Sequence, residues 1–340
     1  MNTLTLSITA LVALTITFGL GFPFIPMLRR LKFGQTILDI GPKWHAEKKQ
    51  GTPTMGGFMF IIGIIVAFSL GLFLLWNNGA IIFDSAGRLT FFTAVGGFLM
   101  AILFGMMGFL DDYIKVVKKR NEGLSVNQKL FLQVFIVAAY FTSRIIAGDV
   151  STVINFPLLG TVDFWYFYYV VMGLGILYIV NAVNITDGID GLCSSVTVIY
   201  CVAFVIICGL LKLNELSVLA VTTAGSCIGF LYHNAHPSKC FMGDTGSLFL
   251  GGIVCALGMG AKCEVVMVIA AGVYIWEALT VLIQTTYFKA TGGKRLFAMT
   301  PIHHSYEKKG WSEPKIVFFF SFLGIICGGI AVTLVALEVL

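Results

Sequence analysis

Five aspartates and a histidine pair carry most of the chemistry open to this chain: Asp111, Asp112, Asp187, Asp190, Asp244, His303 and His304. They lie at or near the ends of long uncharged apolar stretches. Ionisable groups are costly near hydrocarbon, so acids and imidazoles gathered at one membrane face mark a functional site by default. In GMMGFLDDYIK at 105–115 the apolar run stops at Asp111-Asp112, and Lys115, Lys118, Lys119 and Arg120 follow. Successive helical side chains diverge by about 100°, so the two carboxylates are expected to serve different partners. Adjacent acids beside a cation cluster suit a divalent metal on a polyphosphate, because Mg2+ offsets charge that lysine alone cannot. A solvated cap at a span end is the other reading the pair allows.

The segment NAVNITDGIDGLCSS at 181–195 has glycines at 188 and 191, which permit close backbone approach. Asn184, Asp187 and Asp190 could there bind a metal, or the hydroxyls and amide of a nucleoside. No strand precedes the segment and the GxGxxG spacing is absent, so it is not a Rossmann fingerprint. An EF-hand fails for want of acidic ligands at the far end, and a plain capping turn remains open. In HNAHPSKCFMGDTGSL at 233–248 Asp244 stands between glycines, where a carboxylate can approach a cation closely. Thr245 and Ser247 are expected to cap the helix that follows. His233 and His236 have zinc-like spacing but lack matching Cys or His partners.

Two further segments bear on the same site. KKQGTPTMGG at 48–57 lacks the GK[ST] ending of a Walker loop. Lys49 and the glycine-rich backbone could meet a diphosphate, or the lysines could serve topology alone. TPIHHSYEKKGW at 300–311 sets two imidazoles after a proline. Histidine bonds phosphate and shuttles protons near neutral pH; surface decoration is the plainer alternative.

The elements that must position these residues are membrane spans. Hydrophobic residues make up 58% of the 340 and charged residues 11%, with a mean hydropathy of +0.92. A soluble domain carries about 25% charge, so the composition excludes one and gives an all-α polytopic membrane protein with a single domain over 1–340. Spans of about 20 residues are expected near 4–28, 55–76, 89–110, 130–146, 164–183, 193–211, 216–232, 248–261, 265–288 and 316–337. The span at 248–261 is the shortest and is rich in glycine. Pro23 and Pro26 predict a kink in the first span, which is expected to be retained and not cleaved as a leader. The ninth is expected to be kinked, and Glu277 and Gln284, seven residues apart, share one face of it. Segment 150–163 reads as a small external β-hairpin, followed by FWYFYY as an interfacial aromatic belt.

All 22 lysines and arginines except Arg88, Arg144, Lys212 and Lys262 fall in alternate connections, at 29–54, 111–129, 233–247 and 289–315. Basic residues stay in the cytoplasm. Both termini are therefore expected outside, with the acids and histidines facing the cytoplasm. The eight cysteines lie mostly in apolar spans and none form CxxC, so buried thiols are expected in place of disulfides or zinc.

Together the motifs resemble the phospho-N-acetylmuramoyl-pentapeptide transferase family over nearly the whole chain. Lys49 to Gly57 (KQGTPTMGG) and PIHH followed by EKKGW are similar to that branch. LDDYIK, NITDGIDGL and GDTGSL resemble the wider polyprenyl-phosphate sugar-1-phosphate transferases. The family usually has three successive histidines; here the third position is Ser305. The resemblance implies transfer of phospho-MurNAc-pentapeptide from its UDP carrier to undecaprenyl phosphate, giving lipid I and UMP with Mg2+ as cofactor. It implies a multi-pass protein of the bacterial inner membrane, a homodimer, inhibition by nucleoside antibiotics, and no nucleic-acid partner.

By the same resemblance Asp244, with Asp111 or Asp112, would hold Mg2+, and Asp111 would orient or deprotonate the lipid phosphate. Asn184, Asp187, Gly188, Ile189, Asp190, Asn234 and Phe241 match the nucleoside pocket. Lys49, Lys115, Lys119 and Lys129 would meet phosphates, and His303 and His304 would lie near the diphosphate. The nearest rival is a sister enzyme moving GlcNAc-1-phosphate onto the same lipid. An ion-coupled transporter also uses acids in interrupted helices, although here the acids gather at one face and no inverted repeat is visible.

Overall fold

The computed structural model describes residues 3–31, 51–81, 85–117 and 123–339. Helices α1 (Thr3–Arg30), α2 (Gly57–Asn77), α3 (Ser85–Val117) and α4 (Val126–Ile146) lead to a hairpin of β1 (Val153–Phe156) and β2 (Gly160–Asp163). Then follow α5 (Phe167–Thr186), α6 (Leu192–Leu210), α7 (Asn214–Asn234), α8 (Gly243–Gly260), α9 (Glu264–Ala270), α10 (Gly272–Ala290), α11 (Ile302–Lys308) and α12 (Glu313–Val339). Nine helices among the described residues are long and apolar enough to cross a membrane, and α9 with α10 forms a tenth candidate bent by 75°. The expected break in the ninth span is thus present, at Ala271. Helix α1 runs through both Pro23 and Pro26.

The glycine-rich span expected at 248–261 is α8, and it is the most enclosed helix of the bundle. Its glycines explain how. A Cβ on Gly251 would stand 2.7 Å from the Val180 Cα of α5, and one on Gly252 would stand 2.6 Å from the Ala101 Cα of α3. Small residues let helix backbones approach where dispersion must drive association. Helix α8 therefore sits between α3 and α5, and the motifs at their ends meet.

Beyond the opposite ends of these helices lies the hairpin, antiparallel with Val153 opposite Asp163. Gly160 takes a φ of 96° after the Pro157–Leu159 turn, as such a turn demands. Glu338 near the end of α12 accepts from Asn155 Nδ2 at 2.9 Å and from the Leu158 N–H at 3.2 Å. Nearby, Asp149 receives Arg144 Nε at 3.0 Å and Lys262 Nζ at 3.1 Å. Tyr168 Oη accepts from Arg144 at 3.1 Å and donates to Glu264 at 2.8 Å. Burial alone would raise the Asp149 carboxyl, but Arg144 and Lys262 outweigh it and hold it below the ordinary carboxylate value.

Candidate active site

The C-terminal ends of α3, α5 and α7 and the N-terminal ends of α4, α6 and α8 converge at the other end. One oxygen from each of Asp111, Asp112 and Asp244 lies within 4.8 Å of the others. Lys115 Nζ stands 2.6 Å from Asp111 Oδ2 and 2.8 Å from Asp244 Oδ2. Lys129 Nζ lies 3.0 Å from that Asp111 oxygen and 3.5 Å from the Asp244 oxygen. Two ammoniums thus bridge two carboxylates drawn from different helices. Asp111 is fully enclosed, whereas Asp244 and both lysines keep 21–34% of their side-chain surface open.

The two adjacent aspartates serve different partners, as their helical divergence requires. Asp111 Oδ1 accepts the Leu124 N–H at 2.7 Å, fixing the loop before α4, and Ser125 and Gln128 form a capping box there. Asp112 turns the other way. Its Oδ1 accepts the Asp244 N–H at 3.2 Å, and its Oδ2 accepts the Thr245 N–H at 2.9 Å and Thr245 Oγ1 at 2.8 Å. The expectation that Thr245 and Ser247 cap α8 is corrected. The helix starts at Gly243, so Thr245 lies inside its first turn and Ser247 just past it, and the Asp244 and Thr245 N–H groups are met from α3 by Asp112. Ser247 instead accepts Asn184 Nδ2 at 2.7 Å, and that amide also reaches Asp244 Oδ1 at 3.0 Å.

The three carboxylates are hard oxygen donors of the kind Mg2+ takes. Asp112 is committed to the α8 N-terminus, which leaves the Asp111 and Asp244 oxygens that now share Lys115 as the pair fitted to a cation. A lysine already bridging them shows that the site accepts positive charge.

Asp187 ends α5 and is half-buried with Gly188, while Ile189 and Asp190 are buried. Asp190 Oδ2 accepts from His236 Nδ1 and the Ser238 N–H, both at 3.1 Å, and the Asp190 N–H donates to Glu313 Oε2 at 2.8 Å. Asn234 is buried, donating to the Cys240 carbonyl at 3.0 Å and accepting from Ser194 at 3.3 Å. The half-buried Phe241 bonds the TPTMGG segment through its backbone: its N–H donates to the Pro53 carbonyl, and its carbonyl accepts the Gly56 N–H. That segment therefore braces the loop carrying Asp244. Lys49 and Lys119 lie outside the described residues.

His303 is buried with Nδ1 3.0 Å from Glu277 Oε2, and His304 Nδ1 lies 2.6 Å from Glu307. Ser305 is also buried; it donates to the Met299 carbonyl and accepts the Met299 N–H at 3.0 Å, closing the loop before α11. The third position of the usual histidine run thus has a loop-closing role in this chain. In the sequence His236 offers only an unmatched zinc-like spacing, Ser247 only a cap, and Glu313 no signal, yet all three bond site residues. Glu313 lies over a hundred residues from the loop it holds, and no spacing pattern links them.

A family model described as glycosyl transferase family 4 matches residues 94–262. A phospho-N-acetylmuramoyl-pentapeptide-transferase signature matches residues 49–61. The chain is 42% identical over 330 residues to a phospho-N-acetylmuramoyl-pentapeptide-transferase of Halalkalibacterium halodurans, covering 97% of each chain. It is 43% identical over 337 residues to one from Clostridioides difficile, covering 96% of this chain and 97% of the relative. A third, from Listeria monocytogenes, is 42% identical over 329 residues with the same coverage. With acid cluster, signature segment and full-length similarity in agreement, the chain belongs to the phospho-N-acetylmuramoyl-pentapeptide-transferase family.

Proposed function

We propose that this chain transfers phospho-MurNAc-pentapeptide from UDP-MurNAc-pentapeptide to undecaprenyl phosphate, releasing UMP and forming lipid I. The observation that carries the reading is the Asp111–Lys115–Asp244 bridge at the open end of the bundle. A lipid acceptor needs a site at the bilayer surface, and a UDP-sugar donor arrives from the cytosol. A basic inner face meets both. The chain is then an inner-membrane protein with its site in the cytoplasm and both termini outside. The basic connections and the Glu338 contact with the hairpin support that orientation.

Asp111 and Asp244 would hold Mg2+, which when bound offsets charge on the diphosphate in the phosphoryl transition state. Lys115 and Lys129 then turn their ammoniums to phosphate oxygens. Asp111, in the last two turns of α3, orients the acceptor phosphate. A phosphate monoester has a second pKa of about 6 and is mostly ionised at neutral pH, so orientation outweighs deprotonation. Asn184 keeps Asp244 in place through its amide. Asp187, Gly188 and Phe241 line the nucleoside side, with Ile189, Asp190 and Asn234 packed behind them, and His303 and His304 face the diphosphate.

Product analysis with purified protein, undecaprenyl phosphate and Mg2+ tests the reading. UDP-MurNAc-pentapeptide should yield UMP and lipid I, while UDP-GlcNAc should yield neither. Turnover of UDP-GlcNAc alone would assign the chain to the sister activity.

A further inference from the structure

The pair formed by Glu277 of α10 and His303 of α11 lies outside the acid cluster, and the steps above make no use of Glu277. Both side chains are completely enclosed. A carboxylate only accepts hydrogen bonds, so the 3.0 Å contact with Glu277 Oε2 puts the proton of the neutral ring on Nδ1. The His303 backbone N–H lies 3.5 Å from that oxygen as well. The ring is thereby fixed in direction and in tautomer, and Nε2 is the nitrogen left to act.

Nε2 is buried without a hydrogen-bond partner among the described residues. A Cβ built on Gly188 would stand 2.2 Å from it, so this nitrogen looks directly onto the DGID loop. A buried polar atom left unmet is costly, and this one is aimed at the segment that Asn184 ties to the acid cluster. The same face of α10 supports the rest of the histidine loop: Gln284 Oε1 accepts the Leu296 and Phe297 N–H groups at 3.0 and 2.9 Å. Helix α10 is therefore the bed on which the histidines lie. His304 has its own local carboxylate in Glu307, whereas His303 depends on one brought from another helix.

We propose that Glu277 is the positioning residue of His303, accepting from Nδ1–H so that Nε2, on taking up a proton, donates to the diphosphate of the donor beside Gly188. The inference rests on the transferase reading above. Glu277 does not touch substrate; it acts through the ring.

The test uses the full-length enzyme with Glu277→Gln and Glu277→Met, each alone and with His303→Ala, reading kcat, donor KM and thermal midpoint. Gln keeps an oxygen for Nδ1–H, and Met has similar volume but no useful acceptor. Glu277→Met should lower kcat by about 10- to 100-fold, the range for partners that orient a working imidazole, with donor KM within about threefold. Glu277→Gln should recover most of the loss. In the His303→Ala background Glu277→Met should cost under about twofold more, because coupled groups are not additive. Glu277→Ala replaces Met if Met does not give a cooperatively folded protein. An equal loss with and without His303, a Gln variant as poor as Met, or an unchanged kcat overturns the proposal. Failure of the wild type to release UMP would instead defeat the transferase reading, whatever the variants do.

Discussion

Asp112 on α3 and Thr245 on α8 share two hydrogen bonds at one oxygen, the Thr245 N–H at 2.9 Å and its Oγ1 at 2.8 Å. With the Asp244 N–H on its other oxygen, the carboxylate holds the start of α8 from outside that helix. Asp112→Ala should therefore lower stability by about 1–3 kcal/mol, as expected for buried donors left unmet, and should lower transfer by displacing Asp244. Detergent-phase thermal melting checks the first half. An unchanged midpoint would mean that the bonds are not supporting the helix.

Asp111→Asn should behave differently. Its carboxylate meets ammoniums and one loop N–H, so its loss falls on the charged centre. We expect kcat to drop with uridine-nucleoside affinity nearly unchanged, the pattern of an interaction made chiefly in the transition state. Asp190→Asn should weaken nucleoside binding, because Asp190 anchors the DGID loop to His236 and Ser238. Calorimetric titration with a uridine nucleoside inhibitor separates the two. Normal binding by Asp190→Asn and none by Asp111→Asn would reverse the assignments.

Gly188→Ala should abolish turnover while leaving the bundle folded. The added methyl would meet His303 Nε2, and that ring is held by Glu277 and cannot swing aside cheaply. Activity near wild type would show that the loop does not sit against the ring during turnover.

At the other end, Asp149→Asn leaves the buried Arg144 without its counter-charge, a change that costs roughly 3–5 kcal/mol in comparable pairs. The folded carboxyl lies below its ordinary value of 3.8, so its stabilisation is complete above that value and declines as pH falls through the folded value. Thermal midpoints of wild type and variant should stand well apart at neutral pH and converge below about pH 4. A constant gap across that window would remove the ion pair as its cause.

Much of this was legible in the sequence. The spans, the hairpin at 150–163 and the gathering of Asp111, Asp112, Asn184 and Asp244 follow from hydropathy, turn residues and span counting. The opposite duties of Asp111 and Asp112 follow from the helical angle between neighbours. Period alone could place Glu277 and Gln284 on one face but could not name His303 or the 296–297 backbone as what they meet. Nor could local capping rules foresee Asp112 at the head of α8, because the donor and the acceptor are separated by more than a hundred residues. Ser305 reads as a missing histidine in the motif, and only the Met299 contacts give it a role.

The central claim is that the Asp111–Asp244 pair at the open end of the bundle is the diphosphate and metal centre. Transfer by purified Asp244→Asn at saturating Mg2+ tests it most directly, with the thermal midpoint as the control for folding. The variant should melt as a folded protein and retain less than about a tenth of wild-type activity, a barrier increase of at least about 1.4 kcal/mol. A folded variant that keeps more than that would contradict the assignment.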